Sequence, residues 1–188
     1  MSQQELLSRV IKVLDDLGIE YMLTGSYASS MQGEPRSSHD VDLVVALTEK
    51  EAVKLFYAFP EAEYYLSMDA IREAIRERRM FNLLEMESGN KVDFWILTDE
   101  PFDISRFARK RLEESQGTWL KVSTPEDTIL AKLEWARKCG GSEKQFNDAL
   151  RVFELQASLL DLAYLNDWAS RLGITELWQD LQAKAQPL

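Results

Sequence analysis

Apolar positions recur every three or four residues at the start of the chain and again through its last third. Residues 4–17 follow this helical period, and Gly18 can end the helix there. A second helical region begins at Thr124 and Pro125, which suit an N-cap and a first helical position. The helices predicted from this point on are 128–138, 143–157, 160–172 and 175–185.

Shorter apolar runs between the two helical regions predict the strands of a β-sheet. These strands are 19–24, one beginning at Asp40, 64–66, 80–86, 91–97 and 118–122, with a hairpin turn around Gly89. The helices predicted between them are 27–32, 49–59, 69–79 and 102–115. A helix that follows a strand can act as a crossover, which favours a mixed sheet. We therefore predict an α+β fold, with a mixed sheet flanked by helices in residues 1–122 and a helical bundle in residues 123–188.

Length and composition fit a globular protein of one domain, or of one domain with a helical appendage. The chain has 188 residues, and its N-terminus lacks the apolar run of a signal peptide, so a cytoplasmic location is expected. Cys139 is the single cysteine, which excludes an intrachain disulfide. His39 is the single histidine, which excludes a zinc site with several histidines from one chain, and we assign it a structural or rim role.

The charge distribution argues against bulk DNA binding, which depends on basic side chains that neutralise phosphates. The formal net charge is −10. Arginines cluster in residues 72–79 and 106–111, where they could form a track for RNA or triphosphate; solvated helix faces are the favoured interpretation. The aromatic residues of the last third could stack on bases, but at helical spacing they are expected to form core.

Acidic residues interrupt two of the predicted strands. Asp40 and Asp42 point to the same face of their strand, with Cα atoms about 6.6 Å apart. Asp93 lies alone in the apolar strand 91–97, where a carboxylate is costly unless it is paired or bound to metal. Carboxylates on one face suit Mg²⁺, which takes oxygen ligands and substrate phosphates. Gly25 and Ser26 stand where a strand gives way to a helix, whose N-terminus can bind an anion.

This combination resembles the nucleotidyltransferase superfamily, whose archetype is DNA polymerase beta. The resemblance rests on Gly25-Ser26, on Asp40-Val41-Asp42-Leu43 after a gap of thirteen residues, and on Asp93 in a later strand. A weaker likeness extends through Lys132, Lys144 and Asp148 to abortive-infection type toxin nucleotidyltransferases and related bacterial proteins. Thr24 departs from the glycine or apolar residue that many members carry there.

The resemblance implies an enzyme that transfers a nucleoside monophosphate from an NTP to a hydroxyl group. Asp40, Asp42 and Asp93 would be the catalytic and metal-binding residues, holding two Mg²⁺ ions about 3.5 to 4 Å apart. The substrate would be bound by Gly25, Ser26, Arg36, Lys132 and Lys144. RNA, protein and small molecules all remain open as acceptors, and a partner protein, a homodimer or a place in a toxin–antitoxin system is left open.

Two other functions are compatible with these residues. A catalytically silent module, such as an antitoxin or regulatory partner, would need the fold and nucleotide binding without turnover. A metal-dependent nuclease would also use clustered carboxylates, but the Gly25-Ser26 turn favours a retained triphosphate over a hydrolysed strand.

Overall fold

The computed structural model describes residues 1–34 and 40–186 of the chain. In chain order, its elements are α1 Gln3–Leu17, β1 Tyr21–Thr24, α2 Gly25–Gln32, β2 Asp40–Val45, α3 Glu49–Tyr57, β3 Tyr64–Tyr65, α4 Met68–Glu77, β4 Met80–Glu85, β5 Lys91–Ile96, α5 Pro101–Arg109, β6 Arg111–Ser115, β7 Thr118–Val122, α6 Pro125–Lys138, α7 Glu143–Gln156, α8 Leu162–Arg171 and α9 Thr175–Lys184. A short 3-10 turn, Ala157–Leu159, follows α7.

The chain divides into two units. The first comprises Met1–Thr24 and Ser38–Val122, and the second comprises Gly25–Ser37 and Ser123–Leu188. One boundary coincides with the sequence-based division after residue 122. The segment that contains α2, however, groups with the C-terminal helices although it lies between β1 and β2 in the sequence.

The described residues of the first unit form a seven-stranded mixed sheet. Its strand order is β3-β4-β5-β2-β1-β7-β6. Strand β2 runs parallel to β5, and β1 parallel to β7, whereas the other neighbours are antiparallel. The predicted α+β class with a mixed sheet is therefore confirmed.

Helix α1 shows how the sequence directs the packing of this unit. Ser2 and Glu5 form a capping box at its start, and Gly18 ends it at a φ of +69°. Five residues of its apolar stripe are buried, namely Leu6, Leu7, Val10, Ile11 and Leu14. The apolar residues that recur at the helical period in the sequence are thus the residues that α1 buries.

The predicted helix 102–115 is wrong in its second half. Helix α5 ends at Arg109, and residues Arg111–Ser115 form β6, an edge strand paired with β7. The two strands are joined by Gln116 and Gly117, which both have positive φ, at +49° and +81°. Two such residues build the turn that matches the twist of a hairpin. The glutamates of this segment also suit a helix, but pairing with β7 stabilises the strand.

The aromatic side chains of the last third form core only in part: Phe153, Trp168 and Trp178 are buried, whereas Phe146 and Tyr164 are half-buried. Trp178 is 1% exposed and meets Phe153 edge-to-face at 5.4 Å between ring centroids, and Trp168 is also buried. Trp135 departs from the expectation because it is 45% exposed. At the start of α6, the Thr124 side chain accepts a hydrogen bond from the Asp127 amide. Over the described parts of the chain, every helix is too short or too polar to cross a membrane.

Candidate active site

Polar residues form a row across four adjacent strands of the sheet. Asp42 on β2 lies opposite Asp93 on β5, and these two are flanked by Thr24 on β1 and Asn82 on β4. Residues opposite each other on paired strands present their side chains on the same face. Asp40 stands two positions before Asp42 and so shares that face. The three predicted carboxylates therefore project from one face of the sheet.

The parallel pairing of β2 with β5 creates this arrangement. Val41 and Leu43 alternate with the aspartates and are fully buried on the opposite face of the sheet. Val92 and Phe94 do the same beside Asp93. A shift of one residue in the pairing would exchange the two faces, so the buried residues fix the register. The hairpin predicted around Gly89 is confirmed, and it brings Asp93 to the strand beside Asp40 and Asp42.

Lys91 bridges two of the carboxylates, a contact that was not predicted from the sequence. Its Nζ lies 3.0 Å from Asp93 Oδ2 and 3.5 Å from Asp40 Oδ1. The hydrogen bond to Asp93 is the largest cause that raises the pKa of Lys91, so this side chain is a cation at neutral pH. The sequence does indicate that Lys91 and Asp93 share a face of their strand, because they are two positions apart.

Asp93 is the most buried carboxylate of the three. The residue is 7% exposed, and its Oδ1 atom is buried with no hydrogen-bond donor among the residues that the structure describes. A buried carboxylate oxygen without a partner is costly. Such an atom is suited to bind a cation or to accept a proton.

Asp42 is oriented by a tryptophan from the neighbouring strand. The indole Nε1 of Trp95 donates a hydrogen bond to Asp42 Oδ1 at 3.2 Å. Trp95 packs at the edge of an apolar cluster that comprises Met22, Val44 and Phe107, with Ala46 and Leu97 beside it. Helix α5 supplies Phe107, so the helix that covers this end of the face also anchors the tryptophan.

The donor chemistry of this face fits a hard divalent cation, although its carboxylates are not assembled around one. Within residues 1–34 and 40–186, no group of three His, Cys, Asp or Glu side chains is arranged to hold a metal ion. An ammonium group instead stands between Asp40 and Asp93. Mg²⁺ is usually bound through one or two carboxylates, and Asp93 Oδ1, which has no hydrogen-bond donor among the described residues, is an oxygen atom of the required kind.

The turn predicted to bind phosphate has the expected local structure. Strand β1 ends at Thr24, and α2 begins at Gly25 with a φ of +66°. A glycine adopts this left-handed conformation without steric cost, so the chain can change direction at once. Ser26 lies in the first turn of α2, and its carbonyl accepts a hydrogen bond from the Ser29 hydroxyl at 3.1 Å. Phosphate binding here stays a prediction.

The predicted lysines differ in their surroundings within the second unit. Lys132 on α6 is buried, and its Nζ lies 2.8 Å from Asp148 Oδ2 on α7. Lys144, in the first turn of α7, is exposed. Their contact with substrate stays a prediction. Arg36 and His39 lie outside the described residues.

Comparison with known proteins gives matches at the level of three-dimensional structure. No protein-family model and no curated protein sequence matches the chain. An antigenic nucleotidyltransferase-like protein from Paracoccidioides brasiliensis is 16% identical, with a TM-score of 0.56 over 98% of this chain and 94% of that one. The crystal structure of ANT(2")-Ia in complex with adenylyl-2"-tobramycin is 12% identical, with a TM-score of 0.58 over 92% of this chain and 98% of that one.

A solution structure of the antibiotic-resistance factor ANT(2'')-Ia also matches, at 12% identity and a TM-score of 0.52 over 95% of this chain and 94% of that one. These matches extend along nearly the whole chain. The fold that the sequence resemblance implied is confirmed by these matches. The chain has the nucleotidyltransferase fold.

Proposed function

We propose that this protein is a Mg²⁺-dependent nucleotidyltransferase that transfers a nucleoside monophosphate from an NTP to a hydroxyl group. The observation that carries the proposal is the placement of Asp42 opposite Asp93 on parallel strands, with Asp40 on the same face. The fold found in the neighbouring structures supports the same class of reaction.

The three aspartates would hold the metal. Asp40 and Asp42 are the more accessible pair and would bind the ions that accompany the triphosphate, and Asp93 would share one of them. Bound Mg²⁺ supplies neutralising charge to the triphosphate and lowers the pKa of the acceptor hydroxyl. Trp95 would keep Asp42 in position through the hydrogen bond from its indole.

The reaction would exchange one bond to the α-phosphorus for another. The acceptor oxygen attacks this phosphorus, the bond to the oxygen that bridges the α- and β-phosphates breaks, and pyrophosphate leaves. The hydroxyl proton passes to Asp93, whose Oδ1 is buried and lacks a donor in the described part of the chain. A carboxylate within reach of the hydroxyl can serve as the general base of such a step.

Cationic and backbone groups would hold the triphosphate. Gly25 and Ser26 would offer backbone N–H groups at the start of α2 to the β- and γ-phosphates. Arg36, Lys132 and Lys144 would offset the charge that develops on the leaving pyrophosphate. For Lys132, this role requires exchange of its ion pair with Asp148 for a phosphate.

The test is transfer of labelled nucleotide. The protein is incubated with each α-labelled NTP, Mg²⁺ or Mn²⁺ and acceptors that include total RNA, cell lysate protein and tobramycin. We expect labelled product with wild type and none with Asp42→Asn. Asp16→Asn is the matched control, because Asp16 is an exposed partner of Lys12 on α1. Absence of product together with absence of metal-dependent NTP binding would refute the proposal.

The choice of acceptor depends on the shape of the loops and helices around the site, and the metal-binding carboxylates do not determine it. Tobramycin is included because one neighbouring structure contains its adenylylated form. Mass spectrometry of cellular RNA and protein after induced expression, searched for added nucleotide masses, would identify a macromolecular acceptor. The Asp42→Asn variant expressed at the same level supplies the background.

A catalytically silent nucleotide-binding module is the second candidate. It is favoured by one observation, which is that the Lys91 ammonium already pairs with Asp40 and Asp93 and offsets part of their charge without a metal. Calorimetric binding of NTP with no product in the transfer assay, under conditions where metal is also bound, would support this candidate.

A further inference from the structure

Lys91 occupies the space between Asp40 and Asp93 that a shared cation would take. We propose that Lys91 is a built-in counter-cation, which keeps the carboxylates together in the metal-free protein and competes with the metal for them. This inference rests on the proposed function, because it assumes that these carboxylates bind a divalent ion.

Electrostatics favour a cation at this position. Asp40, Asp42 and Asp93 project from one face of adjacent strands, and like charges directly opposite each other destabilise a sheet. Asp93 is 7% exposed, so solvent screens its charge poorly. The Lys91 ammonium, at 3.0 Å from Asp93 and 3.5 Å from Asp40, offsets this repulsion. The sheet can therefore form before any metal binds.

The same position makes Lys91 a competitor of the metal. A Mg²⁺ ion lies about 2.0–2.1 Å from its oxygen ligands, so it cannot share Asp93 Oδ2 and Asp40 Oδ1 with an ammonium between them. The Lys91 side chain is 31% exposed, and its flexible stem allows the ammonium to move toward solvent. Binding of the ion then breaks the two ion pairs of Lys91. The carboxylates have a positive partner both in the metal-free protein, where it is Lys91, and in the metal-bound protein, where it is the ion.

One substitution separates the two effects because they have opposite signs. Lys91→Met removes the ammonium and keeps a long apolar stem in the strand. We expect its thermal midpoint in EDTA to fall by roughly 2 to 4 °C, since Asp40 and Asp93 lose their ion pairs with Lys91. We expect its affinity for Mn²⁺ to rise by about tenfold, since two partly screened ion pairs no longer oppose binding. A purely structural lysine would give the first effect without the second.

The measurement uses the full chain without nucleotide. Mn²⁺ binding is followed by the electron paramagnetic resonance signal of the unbound ion and by calorimetry, and unfolding by circular dichroism. Lys91→Arg retains the charge and should behave like wild type in both assays. Lys12→Met is the matched control, because it removes an ammonium from an exposed ion pair on α1 and should change neither Mn²⁺ affinity nor the midpoint by a comparable amount.

The outcomes distinguish this inference from the proposed function. Weaker or unchanged Mn²⁺ binding by folded Lys91→Met, with measurable binding by wild type, would overturn the role of Lys91 and leave the metal site intact. Failure of wild type and Lys91→Met alike to bind Mn²⁺ would overturn both. If Lys91→Met does not fold, Lys91→Gln takes its place, because it keeps a polar side chain without the charge.

Discussion

The ion pair between Lys132 and Asp148 provides a test that separates structural from substrate-binding roles. The Lys132 side chain is 7% exposed and that of Asp148 10%, and their charged atoms lie 2.8 Å apart. Replacement of Lys132 by methionine would leave a carboxylate nearly buried without this partner. We expect Lys132→Met to be clearly less stable than wild type.

The magnitude follows from the burial of the pair. Removal of one partner of a buried ion pair costs about 3 to 5 kcal/mol, whereas an exposed pair is worth about 0 to 1 kcal/mol. We take about 3 kcal/mol, because both side chains retain slight exposure. In a chain of this length, that corresponds to a fall in the thermal midpoint of about 6 to 12 °C.

Chemical denaturation by urea, followed by circular dichroism, measures this loss. Lys138→Met is a control on the same helix, because its ammonium lies 2.7 Å from Glu134 and its side chain is 51% exposed. It should change stability by less than about 0.5 kcal/mol. The double variant Lys132→Met/Asp148→Leu removes both charges and should recover most of the lost stability.

The double variant then tests the substrate contact. If Lys132 meets the triphosphate, the folded double variant should bind NTP more weakly than wild type, although its stability is restored. If the free energy of unfolding of Lys132→Met lies within about 0.5 kcal/mol of the wild-type value, the reasoning from burial is refuted. Recovered stability with unchanged NTP binding would instead limit Lys132 to a structural role.

Three further predictions concern single side chains. Trp95→Phe removes the indole hydrogen bond to Asp42 and should weaken Mn²⁺ binding by roughly tenfold, measured by calorimetry, with the fold intact by circular dichroism. Burial raises the pKa of Tyr21 to about 12, so the folded protein keeps the phenol protonated at a pH where the unfolded chain loses the proton. About 2 kcal/mol of the free energy of unfolding that is present below pH 10 should therefore be lost as the pH rises to 12. Urea unfolding of Tyr21→Phe should not show this loss. Gly33→Ala would place a Cβ 2.9 Å from the Ser29 carbonyl oxygen and should cost about 1 to 3 kcal/mol in the same assay, which an unchanged midpoint would contradict.

Local signals explain why most elements could be predicted from the sequence. Thr48 and Glu51 form the capping box that begins α3, and the hairpin between β4 and β5 turns around Gly89. The strand β6 could not be predicted in the same way. Its sequence, RLEES, contains good helix formers, and its strand state depends on pairing with β7, which is a tertiary contact.

The placement of the three aspartates on neighbouring strands was predictable from the sequence, whereas their contacts were less so. The period of two placed Asp40 and Asp42 on one face, and the structure puts Asp93 opposite Asp42. The ammonium of Lys91 and the indole of Trp95 escaped prediction because their contacts depend on which strands pair and in which register. Sequence period fixes the face of a side chain, whereas its neighbours across the sheet come from topology.

The position of α2 has a consequence for how this protein can be divided. Gln32, at the end of α2, is buried, and its carbonyl accepts a hydrogen bond from Gln156 Nε2 at 2.9 Å, although β1 and β2 on either side of α2 belong to the sheet. A fragment that stops at Val122 would keep α2 but lose its packing partners. No single cleavage of the backbone yields two intact halves, so recombination between relatives would have to exchange both together.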